Sequence, residues 1–71
     1  MKFGICPLSI IPLRLESSDK SELVSQVLYG EIFKVLDVQK KWSKIRLNFD
    51  KYEGWIDNKQ YQFISKEDYE T

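Results

Sequence analysis

Residues 32–57 read IFKVLDVQKKWSKIRLNFDKYEGWID, and this stretch decides the fold. Ile32–Val38 is rich in branched and aromatic residues and reads as a strand. Gln39–Lys41 is a short charged connection. Trp42–Leu47 alternates, with Ile45 and Leu47 on one face and Lys44 and Arg46 on the other. Asn48–Lys51 is a hairpin loop, and Tyr52–Ile56 returns as the next strand. The same alternation puts Trp42 beside Lys44 and Arg46. It puts Trp55 beside Glu53 and Asp57, opposite Gly54 and Ile56. Gly54 is expected where two backbones approach closely.

Outward from this hairpin the pattern stays β-like. Ile10–Leu15 is expected as a first strand, with Pro12 marking an edge or a bulge. Glu16–Ser21 is a polar loop, and Glu22–Gln26 leads into Val27–Tyr29 before a turn at Gly30–Glu31. The alternative is a helix over Ser21–Tyr29, since Leu23, Val24, Val27 and Leu28 have helical spacing behind a Ser21 cap. Asp57–Gln60 reads as one tight helical turn and Tyr61–Ile64 as a last short strand. Five to six short antiparallel strands predict an all-β fold, a small barrel or sandwich. One domain is expected over residues 1–64. Ser65–Thr71 carries a net charge of −2 and reads as a frayed polar tail or the start of a linker to a further domain.

Composition narrows the chemistry. The chain has 71 residues, with 11 basic and 11 acidic side chains, no histidine, one cysteine and no alanine. Leu, Ile, Val and Phe make up 22 of the 71, enough for a thin core and too many for a disordered chain. Balanced charge with no basic stripe argues against nucleic acid as a partner. Without histidine, the chain has no Cys–His or Ser–His pair and no His-containing zinc site, so no activity, cofactor or metal is expected of it alone. Cys6 has no sequence neighbour that would activate its thiol and is expected as a small apolar residue near one end of the fold. Pro7, Pro12 and Arg14 interrupt the apolar N-terminal stretch, so neither a signal peptide nor a membrane span is expected, and a cytoplasmic monomer is.

The words SELVSQVLYGE, FKVLD, WSKIRL and DKYEGWID, in this order over Ser21–Asp57, resemble the N-terminal bacterial SH3-like domain of NlpC-type cell-wall cysteine peptidases, in the form found in Bacteroidetes-like bacteria. The opening ICPLSIIPLRLESSDKSE is similar as well, so the resemblance covers Ile5 to Ile64. It implies an SH3-like barrel with a C-terminal cysteine peptidase domain as its partner. Such enzymes cleave γ-D-glutamyl–diamino acid bonds in peptidoglycan stem peptides, and the SH3-like domain forms one wall of the cleft. By motif position the resemblance assigns Glu22 and Tyr52 to the free N-terminal ammonium of L-Ala. The sequence departs from the pattern at Asp50–Lys51, where Asp–Gly is usual; lysine adopts a positive φ reluctantly, so a longer or different turn is expected.

Each candidate also has a plainer role. Glu22 is a surface carboxylate at a strand entrance, and Tyr52 a strand-opening ring with its hydroxyl in water. Gln26 is a candidate for hydrogen bonding to a peptide backbone or to the barrel itself. Trp42 and Trp55 suit a binding face, an interdomain face or simple half-burial. Lys40 and Lys41 read as a solvated hairpin tip. A proline-peptide reader would draw acid from Glu16, Asp19 and Glu22 and one ring from Trp42, but the aromatic stretch that mode needs is missing. Two broader alternatives are a stand-alone cell-wall or peptide-binding module and a purely structural packing domain.

Overall fold

A computed structural model describes residues 2–48 and 51–70. Seven strands follow in the order β1 (Lys2–Ile5), β2 (Ile10–Arg14), β3 (Leu23–Leu28), β4 (Ile32–Val38), β5 (Trp42–Leu47), β6 (Glu53–Asp57) and β7 (Gln62–Ile64). A 3-10 turn at Asn58–Gln60 separates β6 from β7, and a short helix, α1 (Lys66–Glu70), closes the described chain. The strands form one antiparallel sheet in the order β3-β2-β6-β5-β4-β1-β7. Ile11, Leu13, Val27, Phe33, Ile45 and Ile56 are fully buried in a single cluster drawn from β2 through β6. One face is therefore dry, and the one α-helix among the described residues has five residues, too few to cover it. The sheet must curl on itself, the small SH3-like all-β arrangement. Register shifts at Leu13/Arg14 and at Val35/Asp37 supply local bends.

The central hairpin follows the alternation. Ile45 and Leu47 are buried, and Lys44 and Arg46 lie on the outer face. Gly54 meets β2 closely: a β-carbon there would sit 2.6 Å from Leu13 Cγ and 2.9 Å from the Arg14 carbonyl oxygen. Gly30 takes φ 81° in the turn between β3 and β4, a conformation that costs glycine little.

The strand count and the C-terminal tail differ from expectation. The sheet has seven strands, not five to six, because Lys2–Ile5 pairs with β4 on one side and β7 on the other. Residues 23–28 form a strand, not the alternative helix, since Val27 can be buried against Ile11 only in the paired register. Residues 66–70 are helical, not frayed: Tyr69 stacks on Phe3 with ring centroids 4.2 Å apart and donates a hydrogen bond to Asn48 Oδ1. Lys51 does adopt a positive φ, 61°, as the Lys51 and Leu47 N–H groups donate to the Leu47 and Tyr52 carbonyls, closing the loop. Asp50 of that loop lies outside the described residues.

Candidate functional site

Glu22 closes the loop between β2 and β3. Its carbonyl accepts from the Leu15 N–H, while its side chain is exposed and has no ion-pair partner among the described residues. Tyr52 immediately precedes β6 and is 45% exposed, with its carbonyl held by the Leu47 N–H. Gln26 lies opposite Pro12 on the edge strand β3 and is exposed. The strands that Glu22 and Tyr52 immediately precede, β3 and β6, flank β2, where Arg14 stands opposite Leu23 on one side and Trp55 on the other. Glu22 and Gln26 thus lie at and on the edge strand β3, whereas Tyr52 enters β6 on the other side of β2.

The outer face of β5 and β6 carries three cross-strand pairs: Trp42 opposite Asp57, Lys44 opposite Trp55, and Arg46 opposite Glu53. Both tryptophans are half-buried on the face expected for them. Arg46 donates through Nε and Nη2 to one Glu53 oxygen, at 3.0 and 2.8 Å, and Lys44 Nζ stands 3.9 Å from the other. All three side chains are about two-fifths exposed, so this network fixes side-chain direction more than it adds stability.

Beneath this face runs a polar chain that the sequence did not reveal. Ser43 is fully buried, and its hydroxyl bonds both Asn58 Oδ1 (2.5 Å) and the Tyr61 hydroxyl (2.7 Å). Serine has one proton; it goes to the Asn58 oxygen, so Tyr61 donates to Ser43. Asn58 Nδ2 donates to the Gln39 carbonyl and its N–H to the Lys41 carbonyl. The β4–β5 tip is thereby tied to the 3-10 turn, whose N-cap Asp57 accepts from the Lys59 N–H. Burial pushes the Tyr61 phenol up, which keeps it a donor. Burial likewise raises the Cys6 thiol, which lies against the Leu8 and Val27 carbonyls; it behaves as a small core residue. Nothing local marks Ser43 or Asn58 in sequence, because their partners come from other elements.

A second surface is apolar. Ile10 and Leu28 face each other across β2 and β3 and are 46% and 48% exposed, with Leu8 and Tyr29 exposed just beyond them. Among the described residues no helix is long and apolar enough to cross a membrane, and no group of His, Cys, Asp or Glu is arranged to hold a metal ion.

Comparison with curated proteins returns no match. The family model for the bacterial dipeptidyl-peptidase SH3 domain matches residues 13–60, from the middle of β2 to the end of the 3-10 turn. This span is more than half of the chain and takes in the whole central hairpin, Gly54 and the Ser43–Asn58 tie, so the chain belongs to the family of bacterial dipeptidyl-peptidase SH3 domains.

Proposed function

We propose that this chain is the non-catalytic SH3-like domain of a cell-wall cysteine endopeptidase of the NlpC type. It forms one wall of the substrate cleft and selects peptidoglycan stem peptides that begin with a free L-Ala. Beside family membership, the observation that carries this reading is the exposed Glu22 carboxylate with no cation assigned to it. Such a carboxylate attracts a primary ammonium and gains nothing from an acylated amine, so it discriminates between the two. Tyr52 adds an exposed phenol and Gln26 an exposed amide for the peptide backbone.

An NMR titration of the isotope-labelled domain with L-Ala-γ-D-Glu and with its N-acetyl form tests this. One wall of a cleft binds weakly, with a Kd in the millimolar range, roughly −4 kcal/mol. Shifts near Glu22 and Tyr52 with the free amine alone support the reading. Equal shifts with both peptides rule Glu22 out as the selector.

A second reading, a packing domain that only braces its catalytic neighbour, is favoured by the exposed Leu8, Ile10, Leu28 and Tyr29. It predicts no shift with either peptide, and protection of this apolar surface from solvent exchange once a peptidase domain is joined.

A further inference from the structure

A cavity of about 260 Å³ opens where three loops meet: Asp19 of the β2–β3 loop, Lys40 and Lys41 at the β4–β5 tip, and Asp57, Asn58 and Lys59 at the 3-10 turn. Its floor is fixed, because Asn58 spends its N–H, its Nδ2 and its Oδ1 on Lys41, Gln39 and Ser43. Its rim is not neutralised. The ion pairs found among the described residues are Lys44–Glu53 and Arg46–Glu53, so the ammonium groups of Lys40, Lys41 and Lys59 and the Asp19 carboxylate have no ionic partner. Asp57 already accepts the Lys59 N–H. The cavity therefore sets three lysine ammonium groups against the carboxylates of Asp19 and Asp57, an excess of one positive charge around a rigid polar floor.

We infer that this cavity binds the carboxylates of a short peptide. Lysine ammonium groups recognise carboxylates as point charges, without a fixed fork geometry, so the site reads charge more than shape. The volume lies just below the range of ligand pockets and suits one or two residues, not a long chain. The choice of ligand rests on the stem-peptide reading above; the site itself does not. A γ-linked glutamyl residue keeps its α-carboxylate free, and a diamino acid that ends the peptide carries another. A stem peptide thus brings two carboxylates to the lysines, and the amine on the diamino acid side chain suits Asp19.

The probe is the tripeptide L-Ala-γ-D-Glu-L-Lys, titrated into the labelled domain beside two modified forms, one with both carboxylates amidated and one N-acetylated. The amide signals of Lys40, Lys41, Asn58 and Lys59 are expected to move with the free acid. Amidation is expected to weaken that response about fivefold or more, as is the double substitution Lys40→Gln and Lys41→Gln, from the loss of two or more exposed charge contacts. Both lysines are exposed, and only the Lys41 carbonyl enters the Asn58 tie, so the variant keeps the fold. A cavity response equally strong with the diamide, or unchanged in the double variant, overturns the inference, and so does no response there at tens of millimolar tripeptide. Acetylation reports on Glu22 and amidation on the cavity, so the two readings fail separately.

Discussion

Replacing Ser43 by alanine tests the buried polar chain that ties the barrel to its loops. The hydroxyl is fully buried and makes two hydrogen bonds, to Asn58 Oδ1 and Tyr61. Losing the bond to Asn58 costs about 1 kcal/mol net, and stranding the Tyr61 hydroxyl, in a residue only 8% exposed, adds roughly 1–3 kcal/mol. The expected cost of Ser43→Ala is thus about 2–4 kcal/mol. A domain of 71 residues has roughly 4–10 kcal/mol in total, so this loss is a large share of it. The midpoint of thermal unfolding should fall by about 10–25 °C. Urea unfolding followed through Trp42 and Trp55, both half-buried, measures it. Tyr61→Phe alone should cost about 1 kcal/mol. With Ser43→Ala in place it should cost much less, because the stranded hydroxyl is then gone. A Ser43→Ala penalty below about 0.5 kcal/mol, or strict additivity in the double variant, would refute the buried hydrogen-bonded chain.

Gly54→Ala should destabilise by about 1–3 kcal/mol in the same urea assay, since the Arg14 carbonyl 2.9 Å from the new carbon is backbone and cannot swing away. Lys51→Gly should instead stabilise, by roughly 0.5–1 kcal/mol, because it relieves a left-handed φ of 61° on a residue with a β-carbon; an unchanged midpoint would contradict that. Glu22→Gln is expected to abolish the preference for the free amine over the acetylated dipeptide while leaving the urea midpoint unchanged. In pH titrations the folded state holds the Cys6 and Tyr61 protons more tightly than the unfolded chain does, from reference values of 9.0 and 10.0. Their contribution is therefore full below about pH 9 and is lost as pH rises further, and unfolding monitored between neutral and alkaline pH should show that decline.

Sequence alone determined the elements whose information is local. Trp42–Leu47 shows its buried and solvent faces by alternation, Gly54 stands where only a residue without a side chain fits, and Asp57 announces a tight turn one residue before it begins. The order of these words also carried the SH3-like family. Tertiary structure decided what depends on distant partners. Lys2–Ile5, with a glycine among four residues, has little strand character of its own and becomes a strand because β4 and β7 accept its backbone on either side. Lys66–Glu70 is too short to hold as an isolated helix; Tyr69 docks it onto Phe3, a ring from the other end of the chain. The cavity follows the same rule. Asp19, Lys40, Lys41 and Lys59 look like solvated loop charges one by one, and only the curl of the sheet and the Ser43–Asn58 tie bring three separate loops to one rim. Periodicity records which side of a strand faces water, but it does not record which loops the closed sheet sets beside one another.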